Sequence, residues 1–240
     1  MRGVFPRTRR ALSAAAALLM FSLAPLGAAT VSTHNTWLYF SFTGPLLGPT
    51  PEFERWRFSF DSPNRFTSDS RHYAQGTWRS ALGYTLSPHW SAWAGYGYSR
   101  TGKPYTSTPY GEHRPFQQLV WTDRAGDFTL KYRLRLEERM PDTGDDLGLR
   151  LRHQLRISHP LAVAKPLSWI AWGEVFLNLN TTDYGARQGV DQYRGFAGLG
   201  WKWSDRLRSE AGYLRQFAPR PGQADRVIHV LALNLALTLK

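Results

Sequence analysis

Charged residues at every second position are the groups in this sequence best placed to do chemistry. Between positions 127 and 140 they are Lys131, Arg133, Arg135, Glu137 and Arg139. Comparable positions in other segments add Arg79, Arg150, Arg152, Arg156, Glu174, Asn178, Arg194, Glu210 and Gln216. Guanidinium and ammonium groups can pair with carboxylates or attract a small anionic solute. Two hypotheses follow: an Arg–Glu ladder that fills a cavity, and a narrow passage that favours anions.

A second set of candidates would serve nucleophilic or acid–base chemistry. His153, Ser158 and His159 lie close in sequence, and a nucleophile needs both a base and an orienting group beside it. However, His153 has the same parity as Leu151 and Leu155 and so shares their apolar side. The chain has no Gly-x-Ser-x-Gly or His-Glu-x-x-His motif. We therefore predict no enzyme activity, no catalytic, cofactor-binding or metal-binding residues, and no cofactor.

The alternation itself predicts the element that positions these charges. Successive side chains of a β-strand point to opposite faces, so segment 127–140 has one charged wall and one apolar wall. The apolar wall consists of Phe128, Leu130, Tyr132, Leu134 and Leu136. In a soluble sandwich the charged wall would face water. In an outer-membrane barrel it would face the interior, and the apolar wall would face lipid.

The amino-terminal residues predict export. Residues 1–29 combine four arginines, an apolar run and a small-residue end, which is typical of a cleavable secretory signal peptide. The formal net charge of +12 then becomes 12 − 4 = +8 for a mature domain at residues 30–240. Export makes nucleic acid an improbable partner and favours lipopolysaccharide, a small anionic solute or internal ion pairs. Without cysteine, no disulfide stabilises the fold.

The remaining chain reads as a series of strands joined alternately by short and long connections. After the leader it has no apolar run of about 18 residues, the length that indicates a spanning helix. The predicted strands are 35–42, 53–60, 72–86, 89–100, 114–123, 127–140, 147–158, 168–180, 191–203, 207–217 and 226–239. Bacterial single-chain barrels normally have an even strand number. We therefore expect ten strands, with 35–42 excluded, or twelve.

Aromatic residues support an orientation with short periplasmic turns and long external loops. Tyrosines lie toward the long connections, and tryptophans lie near the short ones, as in the aromatic belts of membrane proteins. The tryptophans are Trp90, Trp93, Trp121, Trp169, Trp172, Trp201 and Trp203.

Several short motifs, in order along the chain, resemble one bacterial family. They include Asn35-Thr36-Trp37, Ala94-Gly95-Tyr96-Gly97-Tyr98, His113-Arg114-Pro115-Phe116-Gln117-Gln118, Glu174-Val175-Phe176-Leu177-Asn178 and Glu210-Ala211-Gly212-Tyr213-Leu214-Arg215-Gln216. Together they resemble the family catalogued as domain of unknown function 2490, whose members are regarded as outer-membrane β-barrels. The resemblance implies an exported barrel and no established activity.

Taken together, these features predict an all-β protein, a transmembrane antiparallel up-and-down barrel of about 10 to 12 strands in the bacterial outer membrane. Its expected partners are outer-membrane lipid and lipopolysaccharide, the barrel assembly machinery and, if the interior is a passage, a small anionic solute. The favoured role is structural or channel-like, with an Arg-rich polar interior. The alternatives are a lipid-modifying barrel enzyme and a soluble periplasmic β-protein.

Overall fold

The computed structural model describes residues 30–46, 53–67 and 72–239, which form eleven strands and one closed barrel. The strands are β1 (Thr30–Pro45), β2 (Trp56–Phe66), β3 (Tyr73–Thr85), β4 (Trp90–Thr101), β5 (Tyr110–Ala125), β6 (Phe128–Pro141), β7 (Gly148–Pro160), β8 (Leu167–Asn178), β9 (Gly189–Lys202), β10 (Leu207–Ala218) and β11 (Asp225–Thr238). The predicted closed all-β barrel is confirmed. No helix able to cross a bilayer occurs in these described ranges. The predicted signal peptide at 1–29 lies outside them.

The strand number corrects the expectation of ten or twelve. Sequence neighbours pair antiparallel throughout. The first and last strands then pair parallel, from Thr30 beside Asp225 to Thr43 beside Thr238. Segment 35–42, which the ten-strand alternative excluded, is the centre of β1. A parallel ladder also satisfies backbone hydrogen-bonding groups, so an odd number of strands can close without leaving an edge.

The register keeps the two faces separate around most of the barrel, including the parallel seam, with register shifts beside Phe66 and Phe176. On that seam Trp37 pairs with Ala232 on the inside, while Phe40 pairs with Leu235 on the outside. Trp37 and Ala232 are buried, whereas Phe40 and Leu235 are exposed. Side chains of the predicted charged wall therefore point to the barrel interior, and those of the apolar wall point outward.

The two rims of the barrel differ in their connections. The short-turn rim carries the connections 86–89, 126–127, 161–166 and 203–206. The long-loop rim carries 102–109, 142–147, 179–188 and 219–224. The alternation of turn and loop lengths predicted from the sequence is thus present, although 161–166 is longer than the other turns.

Close packing between β9 and β10 depends on two glycines that face each other. A Cβ atom on Gly198 would lie 2.4 Å from the carbonyl oxygen of Ala211 and 2.7 Å from the ring of Phe196. A Cβ on Gly212 would meet the same ring at 2.7 Å. The missing side chains make room for Phe196, which is completely buried and packs with Trp37 and Ile170 in an apolar cluster.

Candidate functional site: the charged barrel interior

The centre of the interior is a network of ion pairs around Glu137 on β6. Arg150 Nη2 donates to this carboxylate at 2.7 Å, and Arg152 Nη1 donates at 2.5 Å. Arg135 Nη1 lies 3.6 Å from it. All four side chains are more than nine-tenths buried. Because a buried charge is costly without partners, this carboxylate stabilises the network as the shared partner of three arginines.

A second carboxylate extends the network by one strand. Glu174 on β8 accepts hydrogen bonds at 2.7 Å from both Arg133 on β6 and Arg152 on β7. Arg152 therefore bridges Glu137 and Glu174. The strand register brings these side chains together, since Arg135 lies opposite Arg152 and Gln154 lies opposite Glu174. The result resembles the Arg–Glu ladder predicted from the sequence.

A separate group of ion pairs lies nearer the long-loop rim, around a carboxylate that was absent from the predicted set. Glu112 on β5 accepts hydrogen bonds at 2.6 Å from Arg114 and from Arg139. Arg139 also lies over the ring of Tyr184, 5.8 Å from its centroid. Glu112 is completely buried. Its position shows that the ion pairs extend beyond the predicted strand 114–123.

A series of contacts between guanidinium groups and aromatic rings extends across the interior. The guanidinium of Arg194 on β9 lies 5.1 Å from the Trp37 ring on β1 and 4.4 Å from the Phe176 ring on β8. Arg65 on β2 covers Trp37 at 4.2 Å, and Arg152 on β7 covers Phe176 at 4.3 Å. We call these five residues the cation–π column. Strands β10 and β11 separate β1 from β9, so the column crosses the interior.

The remaining predicted interior residues have varied partners. Glu210 accepts hydrogen bonds from Arg156 and, at 3.3 Å, from Asn234. Arg194 donates to Gln216 at 3.1 Å. Asn178 instead binds a backbone carbonyl in the loop after its strand. Arg79 pairs with Asp61 at 2.6 Å.

Near the short-turn rim the interior opens into a cavity of about 380 Å³, which we call the vestibule. Its charged walls come from β2, β3 and β6, and turn 86–89 borders its mouth. Among the described residues, the basic side chains that line it are Arg57, Arg79, Lys131, Arg133 and Arg135, and the carboxylate that lines it is Asp61. Lys131 is exposed and has no ion pair among the described residues. Among the described residues, the vestibule is thus a part of the interior where basic side chains outnumber the carboxylates beside them.

The residues considered for catalysis do not form a catalytic arrangement in the described chain. His153 lies on the outer face and pairs with the hydroxyl of Tyr132 at 2.7 Å. His159 also lies outward, between Phe128 and Trp169, with ring centroids 4.5 and 6.3 Å away. These histidines pack against aromatic residues, and neither faces the charged network.

Carboxylates of the long loops serve to connect those loops. Asp183 in loop 179–188 accepts backbone hydrogen bonds from Asp145 at 2.8 Å and Asp146 at 3.3 Å in loop 142–147. In return, the Asp183 amide donates to Asp146 at 2.7 Å. The hydrogen bond from the Asp145 amide, followed by that from Asp146, lowers the pKa of Asp183. The described residues contain no group of three or more potential metal ligands.

Comparison with known proteins now identifies the family. Residues 34–227 match the family described as protein of unknown function, DUF2490. The chain belongs to this family. Over 132 residues it is also 37% identical to an uncharacterised protein of Methylorubrum extorquens. That match covers 52% of this chain and 55% of the relative, so the chain spans about half the length of that relative.

Three interior carboxylates of this DUF2490 barrel were absent from the predicted set: Asp61, Glu112 and Asp191. Asp61 and Glu112 share the parity of neighbouring arginines but lie just outside the predicted strands 53–60 and 114–123. Asp191 pairs with Arg150 at 3.3 Å from a position of the opposite parity. A register shift near Phe176 places it there. If the predicted strands had been longer, they would have included Asp61 and Glu112. Alternation alone could not have placed Asp191 in the interior.

Two tryptophans of the DUF2490 barrel do not have the outward position that was predicted for them in an interfacial belt. Trp172 points inward and stacks on Phe196 with a centroid distance of 5.5 Å. Trp93 also points inward and lines the vestibule. Trp90, Trp201 and Trp203 are exposed near the short-turn rim. Trp172 has the parity of Glu174, which is the signal that indicated its inward position.

Proposed function

We propose that this protein is an outer-membrane β-barrel with a plugged interior, and that it serves as a structural barrel and not as an open anion channel. The cation–π column is the observation that carries this proposal, because it crosses the interior between β2 and β7. An open passage would need a continuous gap along the barrel axis. The column and the ion pairs around Glu137 instead occupy the centre.

The outer wall supports a membrane location. On β11, Leu231, Leu233 and Leu235 are 54%, 37% and 41% exposed. Phe40 and Leu199 are exposed on other strands in the same way. Large apolar patches on a protein surface mark contact with a membrane or another protein. A band that follows successive strands is what a barrel presents to lipid.

Export and assembly complete the proposal. The leader-like composition of residues 1–29 supports secretion, and the expected partners are outer-membrane lipid, lipopolysaccharide and the barrel assembly machinery. The Arg–Glu network supports a structural interior, because most of the described interior arginines form an ion pair with a carboxylate. We propose no enzymatic role.

Membrane insertion can be tested by cell fractionation and gel electrophoresis. The protein should remain in the outer-membrane fraction and need detergent for extraction. The folded barrel should migrate differently on a gel before and after heating. Recovery of folded protein from the periplasm without detergent would instead support the soluble β-protein.

The plug can be tested by conductance in planar lipid bilayers. The unmodified protein should show no steady ion conductance, whereas Arg194→Ala should increase conductance by removing the central cation of the column. Arg215→Ala is a matched control, because Arg215 lies on the outer face of β10. Steady, anion-selective conductance by the unmodified protein would refute the plug and favour the anion passage.

A further inference from the structure

The vestibule has an excess of positive charge that the ion-pair network does not balance. Of its basic residues, Arg79 is held by Asp61 at 2.6 Å, Arg133 by Glu174 at 2.7 Å and Arg135 by Glu137 at 3.6 Å. Arg57 and Lys131 have no carboxylate within 4 Å among the described residues. Among the described residues, five basic side chains and one carboxylate therefore line the cavity. This charge distribution would attract an anion.

Arg135 supplies a buried donor at the inner end of this cavity. Its side chain is 3% exposed, and Nε and Nη2 both donate to Gln118, at 2.9 and 2.7 Å. The third nitrogen, Nη1, lies 3.6 Å from Glu137 but has no hydrogen-bond partner among the described residues, and Arg133 Nε also lacks one there. Buried polar groups are nearly always hydrogen-bonded in folded proteins. These nitrogens are therefore candidates to donate to an oxyanion in the vestibule.

Aromatic surfaces beside these donors favour an organic anion over a bare ion. Phe116 lies beneath Arg135, with the guanidinium carbon 4.2 Å from the ring centroid. Trp93 forms another part of the wall and donates its Nε1 hydrogen to Ser91 at 2.9 Å. The Trp93 indole is thus fixed in place, and its ring offers an apolar surface. The cavity volume is also within the usual range for small-molecule sites, about 300 to 1,000 Å³.

We propose that the vestibule binds a small organic phosphate. Its phosphate group would accept hydrogen bonds from Arg135 and Arg133 and pair with Lys131, while its apolar part would pack against Trp93. A phosphate dianion has several acceptor oxygens and more charge than a single carboxylate. It therefore suits several converging donors and several unbalanced cations better. The proposal needs only the folded barrel and does not depend on its cellular location.

The test is calorimetric titration of the detergent-purified full-length protein with phenyl phosphate. Binding should be measurable and should weaken about tenfold or more in Arg135→Gln, the scale expected when a charged hydrogen bond is lost. Lys131→Gln should also weaken binding, and its exposed position makes misfolding less of a concern. Arg208→Gln, near the same rim but outside the vestibule wall, should change affinity less than twofold.

Three further probes test the chemistry of the ligand. Inorganic phosphate and benzoate should each bind at least about tenfold more weakly than phenyl phosphate, and benzyl alcohol should show no binding. Equal binding of inorganic phosphate would refute the aromatic contribution, and equal binding of benzoate would refute phosphate selectivity. No binding of phenyl phosphate by heat-modifiable, folded protein would overturn the site itself. Because the assay uses detergent-purified barrel, its failure leaves the membrane and plug proposals unaffected.

Discussion

Arg156 on β7 donates to Glu210 on β10 at 3.1 Å, although β8 and β9 lie between these strands around the wall. The pair therefore joins side chains across the interior. The cation–π column makes a second such connection between β1 and β9. These contacts link strands that are not neighbours in the wall, in addition to the backbone ladders. The charged side chains therefore contribute to the stability of the barrel.

The central carboxylate should be essential for stability. Glu137→Gln would leave Arg150 and Arg152 without their shared negative partner, so the free energy of unfolding should fall by about 3 to 5 kcal/mol. Urea titration, with the folded fraction measured by heat-modifiable migration, would test this. Glu138→Gln is the matched control, because the adjacent side chain lies on the outer face and should have little effect. Similar losses in both variants would contradict the role assigned to Glu137.

The apolar wall should reject a charge if it faces lipid. Leu134→Arg should destabilise the barrel by about 2 to 4 kcal/mol if this position lies near the bilayer midplane. Folding into lipid vesicles at a series of urea concentrations would measure the change. Leu134→Ala provides the comparison for loss of the side chain without a new charge. Equal stability of these two variants would argue against a lipid-facing position.

The glycine contact between β9 and β10 should not accept a larger residue. Gly198→Val would bring its branched side chain against the Ala211 carbonyl and the Phe196 ring, so overpacking should destabilise the barrel by about 1 to 3 kcal/mol or more. The same urea assay applies. Ala197→Val adds similar bulk at the neighbouring, outward-facing position and should be tolerated. A stable Gly198→Val protein would show that the two strands can separate locally.

The connection between the two long loops should depend on pH. Because the pKa of Asp183 is lowered in the folded protein, its ionised form stabilises the connection above the ordinary aspartate pKa. That contribution is lost as the pH falls through the lowered folded-state pKa. Amide NMR signals of Asp145 and Asp146 should report this acidic titration, and Asp183→Asn should abolish it. Titration of both amides at the ordinary aspartate pKa would contradict the lowered value.

Many of the side chains that face the interior could be predicted from the alternation of charged and apolar residues along each strand. Arg133, Arg135 and Glu137 were placed on one face because strand geometry alone determines parity. Partner choice was not predictable, because Arg156 and Glu210 are far apart in sequence and meet only when the barrel closes. Asp191 was missed for a local reason, since the register shift beside it interrupts the alternation.

The expectation of an even strand number was wrong. It followed the rule for bacterial single-chain barrels, although the sequence itself contains eleven alternating segments. Segment 35–42 has the alternation of a strand, with Trp37 and Tyr39 on one face and Leu38 and Phe40 on the other. The ten-strand alternative excluded it to preserve an even number, and the twelve-strand alternative required a further strand. Because β1 pairs parallel with β11, eleven strands can close the barrel, and inward and outward side chains stay on their own faces across this seam.

This parallel seam also determines how the chain could be re-engineered. In an even-stranded barrel the first and last strands bring both chain ends to one rim, where a short linker can join them. Here Thr30 and Thr238 lie at opposite ends of a ladder of fourteen residue pairs. At about 3.3 Å per residue, a linker between them would have to run about 40 Å along the wall or through the filled interior. Circular permutation with a short loop is therefore excluded by topology, whatever the new break point.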